Sequence, residues 1–165
     1  MPNIHHQLII AAPAEKVYHA ITTQEGLAAW WTPGAGAKPE PGSTARFPFG
    51  PHYHKEMKIT ALKPFEQVKW LCLEGAPEWI DTTLSFHLKP GNQETLLHAH
   101  PEMQGQLQQL SNSENLTLLI FHHDNWKDYT PMYAECNFTW ARFLRSLKLL
   151  CETGKGLPWP DQHRV

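Results

Sequence analysis

The sequence has neither a block of like charge nor a long apolar run. Its 165 residues include 14 basic and 16 acidic side chains, a formal net charge of −2, so electrostatics favours neither a nucleic acid nor an anionic membrane as a partner. No segment approaches the roughly 18 consecutive apolar residues of a membrane span, and the N-terminus lacks the basic and apolar regions of a secretory signal. We therefore expect a cytoplasmic protein without a membrane span.

Cysteine is scarce, and the common catalytic signatures are missing. The three cysteines, Cys72, Cys136 and Cys151, match neither a disulfide framework nor a C-x-x-C zinc site, so we expect reduced, buried thiols. There is no G-x-S-x-G elbow, and the glycines at 34–36 and 154–156 lack the partners of a nucleotide-binding loop. The sequence therefore predicts no catalytic residue and no cofactor.

The N-terminal part reads as a strand followed by two short helices. Residues 4–11 are β-prone, and Pro13 then opens a helix in which apolar residues recur at helical spacing. A second short helix ends at Trp30 and Trp31. The segment 33–43, PGAGAKPEPGS, is too rich in proline and glycine for regular structure, so we expect an exposed loop.

The middle of the chain is predicted to be an antiparallel meander, because short turns separate consecutive β-prone runs. In the run VKWLCLE both faces carry apolar residues, so we expect it to be covered on both sides. In DTTLSFHLK apolar and polar residues alternate, which predicts a half-buried strand. The predicted strands are 43–49, 54–62, 67–74, 79–89, 94–100 and 116–122.

A long amphipathic helix closes the pattern. Apolar residues repeat at i, i+3 and i+4 from Tyr133 to Cys151, after Pro131, and Gly154 supplies the stop. We expect an irregular tail at 155–165. The element order predicts one α+β domain over residues 1–165, with a core at about 4–154. In it a curved antiparallel sheet wraps round the C-terminal helix, and the two short helices close one end.

Three runs resemble a known family: VYHAITTQEGLAAWWTPG, VKWLCLEGAPEWIDTTLSFHL and, most specifically, HHDNW followed by YAECNFTWARFLRSLKLLCETGKGLPWP. They are similar to the homologues of the activator of the heat-shock protein 90 ATPase, in the START-like or SRPBCC superfamily. The resemblance covers 4–160 and is most specific at Trp140, Ser146-Leu147-Lys148, Glu152-Thr153-Gly154 and Pro158. It implies the helix-grip fold, which is also that of the Bet v allergens. It leaves the activity open, because the superfamily includes lipid binders, receptors, cyclases and hydroxylase domains.

One segment departs from the family pattern. Relatives pass directly from a strand similar to QETLLH to a segment similar to THxGW. Here about 15 to 20 additional residues lie around 98–117, longer than most connections in compact domains. Strand pairing between residues 94 and 123 is therefore the structural prediction with the least support from the family.

Aromatic residues are abundant, with seven tryptophans and seven phenylalanines. Either they fill a solid core, or some of them form an apolar pocket with a few polar groups. The resemblance implies a cavity between the sheet and the last helix. Of the adjacent tryptophans, Trp31 is predicted to be a cavity wall and Trp30 a buried anchor. The residues predicted to line the cavity are Trp31, Phe47, Phe49, Tyr53, Met57, Trp70, Phe86, His122, Trp126, Tyr133, Asn137, Trp140 and Leu144.

The eleven histidines raise the question of a metal site. An H-x-H pair on a strand presents two imidazoles on one face, as at His52 and His54 or at His98 and His100. A third group is His122-His123-Asp124. Spacing fixes no third ligand for any pair, so we predict no metal, and His122 with His54 is the first pair to test against that prediction.

Three functions are compatible with these features. The leading interpretation is binding of a small hydrophobic or amphipathic ligand in the cavity, without catalysis. The first alternative is a co-chaperone-type protein-interaction module, with a chaperone contact and a homodimer. The second is an enzyme that uses a cavity histidine or tyrosine as acid or base, although paired carboxylates and a nucleophile–base couple are missing.

Overall fold

The computed structural model describes residues 1–165 and contains six strands and five α-helices. The strands form one antiparallel sheet in the order β1-β6-β5-β4-β3-β2, and the long last helix packs against it. This is the predicted α+β helix-grip fold. The elements are β1 Ile4–Ile10, α1 Ala14–Thr22, α2 Gln24–Trp30, β2 Thr44–Pro48, β3 His54–Lys63, β4 Gln67–Glu74, β5 Thr83–Gly91, α3 Gln93–Ala99, α4 Gln104–Leu107, β6 Leu116–Asp124 and α5 Pro131–Thr153.

The boundaries of α5 follow from local chemistry and confirm the predicted helix. Thr130 caps the N-terminus, where its hydroxyl oxygen accepts a hydrogen bond from the Tyr133 amide at 3.1 Å, and Pro131 occupies the first turn. Gly154 ends the helix at φ 87°, a left-handed conformation that glycine adopts without steric cost. None of the helices combines the length and apolarity needed to cross a membrane.

Residues Gln93–Ala99 form the helix α3, so the strand predicted at 94–100 is wrong. The side chain of Asn92 accepts a hydrogen bond from the Thr95 amide at 2.8 Å, and the Thr95 hydroxyl accepts one from the Asn92 amide at 3.0 Å. This reciprocal pair is a capping box, which begins a helix, and most of the residues that follow in QETLLHA are good helix formers. A 3₁₀ turn at Pro101–Met103 and the short α4 continue the additional segment.

The additional segment covers the outer face of β1 and β6. An apolar cluster separate from the main core forms there. The side-chain oxygen of Gln106 also accepts a hydrogen bond from the amide of Ile9, on the edge strand β1, at 2.9 Å. The cover explains why LTLLIF in β6 is apolar on both faces. By contrast β4, predicted to be covered on both faces, leaves Leu73 43% exposed. The cluster comprises Ile9, Leu96, Met103, Leu107, Leu116 and Leu118.

The C-terminal tail, predicted to be irregular, contains only a 3₁₀ turn, but it packs against the body of the protein. The Leu157 amide donates to the Ser146 hydroxyl and the Trp159 amide to the Trp31 carbonyl, both at 2.8 Å. Gly156 passes so close to α2 that a Cβ atom there would lie 2.5 Å from the Ala29 carbonyl oxygen. The tail therefore follows a fixed path.

Candidate functional site

A cavity of about 340 Å³ lies between the β2–β3 hairpin, α5 and the C-terminal tail. Eight of its twelve lining residues are hydrophobic. Two other depressions are larger, about 610 and 540 Å³, but only two of nine and three of eight of their lining residues are hydrophobic. The cavity is lined by Trp31, Phe49, Tyr53, Lys55, Trp79, Glu135, Cys136, Thr139, Trp140, Phe143, Trp159 and Gln162.

Trp31 separates the cavity from the solid core. Its ring lies 5.9 Å from that of Trp30 and 5.8 Å from that of Trp70, centroid to centroid, and both pairs are stacked. On the cavity side its centroid lies 5.6 Å from Phe49 and 5.4 Å from Trp140. Trp31 is therefore both a wall of the cavity and part of the core.

Lys55 is the unusual residue of the lining, because it is a lysine only 8% exposed. Its ammonium lies 4.3 Å from the ring centroid of Phe49 and 4.5 Å from those of Tyr53 and Trp79. No hydrogen bond or ion pair to a carboxylate involves this ammonium. Burial lowers the pKa of Lys55 to about 8, because removal from water disfavours the charged form. The group still carries its proton at neutral pH.

The neighbouring thiols are not activated. Burial raises the pKa of Cys72 to about 11 and also raises that of Cys136, whose sulfur accepts a hydrogen bond from the Trp79 indole at 3.3 Å. All three cysteines are free, Cys72 and Cys151 are buried, and Cys136 is half-buried. Protonated thiols leave Lys55 without a compensating anion.

Gln162 contributes an unsatisfied polar group. The residue is only 6% exposed, and its side-chain oxygen is buried without a hydrogen-bond partner. Such a group costs free energy unless a donor reaches it. The lining therefore includes a cation without a counter-ion and a glutamine whose buried side-chain oxygen is unpaired.

Comparison with known proteins places this architecture in a family. The sequence profile described as "Activator of Hsp90 ATPase homolog 1-like protein" matches residues 11–152. The chain belongs to this family. The Aha1 dimer from Colwellia psychrerythraea is similar at 36% identity and a TM-score of 0.74, over 94% of this chain and 100% of that one. The comparison with curated proteins gave no match.

More distant solved structures share the fold alone with this Aha1-like chain. Protein BH1534 from Bacillus halodurans is 20% identical, with a TM-score of 0.64 over 92% of this chain and 98% of that one. CalU16 from Micromonospora echinospora is 17% identical, with a TM-score of 0.63 over 98% of this chain and 80% of that one.

Four of the predicted site residues, Trp31, Phe49, Tyr53 and Trp140, line the cavity of the Aha1-like chain. Five others lie in the solid core instead, because the inward face of the sheet extends well beyond the cavity. Trp126 packs behind the cavity, 6.1 Å from Trp79 between ring centroids. The five core residues are Phe47, Met57, Trp70, Phe86 and Leu144.

The remaining three predicted residues face away from the cavity. The Tyr133 hydroxyl donates to the Asn3 carbonyl at 2.8 Å. Asn137 lies beside β1, where its carbonyl oxygen is 3.2 Å from a ring nitrogen of His6. His122 lies on the outer face of the sheet, with its ring 4.0 Å from that of His5.

His123, which the cavity prediction did not include, points inward from β6 and is fully buried. The Trp140 indole can only donate, so Nδ1 of His123 accepts its hydrogen bond at 3.1 Å. Nε2 then carries the proton and donates to the Thr82 hydroxyl at 2.8 Å. Burial lowers the pKa of His123 to about 3, so the ring is neutral. Both nitrogens are engaged, which leaves none free for acid–base work.

The histidines outside the cavity form two groups. Ligand atoms of His5, His122 and Asp124 lie within 4.8 Å of one another, as do those of His54, Glu56 and Glu74. Two strands, β4 and β5, separate β3 from β6, and the β3 residue level with His122 is Ala61, seven residues from His54. At the usual strand spacing and rise, His54 and His122 are therefore well over ~14 Å apart. The predicted test pair therefore does not meet. His98 lies on α3, so the pair that it forms with His100 is not on a strand.

Eight lining residues were not predicted from the sequence. Lys55 could have been found, because it shares the inward face of β3 with Met57 and Ile59 at a period of two. Trp159 and Gln162 had no such signal, since the tail has no periodicity. The other five are Trp79, Glu135, Cys136, Thr139 and Phe143.

Proposed function

We propose that this Aha1-like chain binds a small hydrophobic or amphipathic molecule in the cavity, without catalysing a reaction on it. The observation that carries the proposal is the aromatic-lined cavity of about 340 Å³ beside the buried apolar core. Pockets of such size, apolar with a few polar groups, are typical of small-molecule sites. Buried apolar area contributes roughly 25 cal/mol per Å² to such binding.

A cavity-filling substitution tests this proposal. Thr139 on α5 lines the cavity, and Thr139→Phe would place a ring in it. Ala134→Phe adds a ring to the exposed face of the same helix and is the matched control. Native mass spectrometry and calorimetry with apolar ligands should show binding to the wild type and to the control, and weaker binding to Thr139→Phe. No binding of any ligand to the wild type would refute the proposal.

The enzyme alternative has less support from the geometry. Tyr53 is the one histidine or tyrosine of the lining, and its hydroxyl oxygen already accepts a hydrogen bond from the Ala76 amide at 3.0 Å. Burial raises the pKa of Tyr53, which makes the phenol a weaker acid. A general acid or base needs a pKa near the working pH, and burial shifts the pKa of Tyr53 further above it.

The family and its solved relative support a second proposal, a chaperone contact made by a homodimer. The family is described by an activator of the Hsp90 ATPase, and the Colwellia relative was solved as a dimer. Sedimentation velocity would test self-association, and a monomer at all concentrations would refute it. Titration of heat-shock protein 90 with the chain, read out as ATPase rate, would test the contact, and an unchanged rate at saturation would refute it.

A further inference from the structure

The buried ammonium of Lys55 indicates the chemical class of the ligand. The Lys55 ammonium has three N–H donors, and the groups around it are the faces of Phe49, Tyr53 and Trp79. Cation–π contacts attract the ammonium to the ring faces, but a ring face does not replace the hydrogen-bond acceptors that the ammonium loses on leaving water. The three rings hold the ammonium in place but leave its N–H donors without hydrogen-bond acceptors.

The protein offers no anion of its own to Lys55. Glu135 lies at the exposed rim of the cavity, where its carboxylate accepts a hydrogen bond from the Thr139 hydroxyl at 3.2 Å. The nearby thiols, Cys72 and Cys136, stay protonated, and His123 on β6 is neutral. A buried charge without a counter-ion is costly, and a bound anion would remove that cost.

Gln162, on the tail side of the lining, does not compete with Lys55 for an anion. Its side-chain oxygen is buried without a hydrogen-bond partner and can only accept, as an ionised carboxylate does. Lys55 is therefore the group of the lining that is complementary to a negative charge.

We infer that the ligand is an apolar monocarboxylate whose carboxylate pairs with the ammonium of Lys55. The inference rests on the proposed function and names the chemical class of its ligand. A monoanion matches the single cation, and the aromatic walls receive the apolar remainder. A neutral ligand of the same shape would leave the charge unpaired and would bind more weakly.

Calorimetry with two matched probes tests the inference. Naphthoate and naphthamide have the same shape and differ in charge, and decanoate and decanol form an aliphatic pair. At pH 7 we expect the carboxylate of at least one pair to bind tenfold or more tightly than its neutral analogue. Lys55→Met keeps the length of the side chain and should abolish that preference. Lys58→Met, at an exposed position of the same strand, is the control and should preserve it.

The pH dependence gives a measurement that needs no variant. Because burial lowers the pKa of Lys55 to about 8, carboxylate affinity should fall by up to tenfold per pH unit above that value. Of the titratable groups around Lys55, Tyr53, Cys72, Cys136 and His123 are neutral at pH 8. The one carboxylate of the lining, Glu135, lies at the exposed rim. Binding of the neutral probe should stay constant over the same range.

The outcomes separate the two claims. If both members of each pair bind equally, and Lys55→Met changes neither, the inference is wrong and the proposed function stands. If no probe binds the wild type, the proposed function fails and the inference fails with it. A carboxylate preference that survives in Lys55→Met would place the anion elsewhere and would also overturn the inference.

Discussion

The solid core and the cavity are built from the same residue types but differ in what the rings face. In the core, Phe86 lies 5.1 Å from both Trp70 and Phe121 between centroids, so each ring meets other rings. In the cavity, the rings of Phe49 and Tyr53 meet an ammonium. Aromatic content alone therefore does not distinguish a packed core from a binding cavity. The buried ammonium of Lys55 is the feature that distinguishes the two regions.

The adjacent tryptophans stand at the boundary between the two regions. Trp30 is fully buried, and its indole donates to the Ala20 carbonyl at 2.8 Å. Trp31 stacks on it and faces the cavity on its other side. Trp31 is 1% exposed and packed among rings, so its truncation should also cost stability, beyond the modest loss that a pure cavity wall would give.

The largest expected effect is the loss of the core anchor. Trp30→Ala removes a fully buried ring and its hydrogen bond, and should lower the free energy of unfolding by about 3–5 kcal/mol. Trp159→Ala, at a half-buried position of the tail, should cost clearly less. Urea unfolding of both variants measures the difference, and equal losses would contradict the contrast between core and cavity wall.

Acid should destabilise the protein through His123. Its pKa is about 3 when folded and about 6.5 when unfolded, so the unfolded state takes up a proton first. The stability present above pH 6.5 is therefore lost as the pH falls towards 3, by up to ~1.4 kcal/mol per unit. Urea unfolding from pH 7 to pH 4.5 measures this slope.

The control for this slope is His123→Leu, which removes the titrating ring. Burial also lowers the pKa of His6, His87 and His122, so a weaker slope of the same sign should remain in the variant. A slope that does not change on substitution would show that other groups account for the acid sensitivity.

Removal of the buried charge should not weaken the free protein. Lys55→Met replaces a desolvated ammonium with an apolar side chain of similar length, so we expect an unfolding free energy equal to or about 1–3 kcal/mol above that of the wild type. Denaturant unfolding at pH 7 without ligand measures it. A marked loss of stability would indicate that the lysine serves the fold.

An effect of similar size concerns the tail that forms one wall of the cavity. Gly156→Ala places a Cβ 2.5 Å from the Ala29 carbonyl oxygen, so the tail must shift, at a cost of about 1–3 kcal/mol. Gly105→Ala is the control, because a Cβ there meets nothing within 4 Å. Thermal unfolding and probe affinity should both change in the first variant, and a change in neither would mean that the tail does not shape the cavity.

Most of the fold could be predicted because its signals are local. The stripe of α5 and the alternation in β5 determine which faces are buried, and the structure confirms both. The helix at 93–99 was missed because the family resemblance implied a strand there, although the Asn92 cap and the helix-forming residues Gln93, Glu94 and Leu96 favour a helix. The sequence did not predict which of His122 and His123 points inward. Because α3 and α4 cover the outer face of β6, both faces of that strand are apolar, and the pattern does not distinguish them.

The cavity was less predictable, because its lining depends on distant parts of the chain. Trp31 and Trp140 could be predicted, because Trp31 lies at the end of α2 and Trp140 lies on the apolar stripe of α5. Gln162 and Trp159 reach the cavity only because the tail folds back along α2 and α5, through the Ser146 hydroxyl and the Trp31 carbonyl. No periodicity in residues 155–165 encodes that path.

The most direct test of the central claim is a crystal structure of the chain with naphthoate bound. We predict that the naphthalene ring lies among Trp31, Phe49 and Trp79, and that a carboxylate oxygen lies about 2.7–3.0 Å from the Lys55 nitrogen. An electron density map with the ligand on the outer face of the sheet, or with its carboxylate directed to solvent and Lys55 still unpaired, would contradict it.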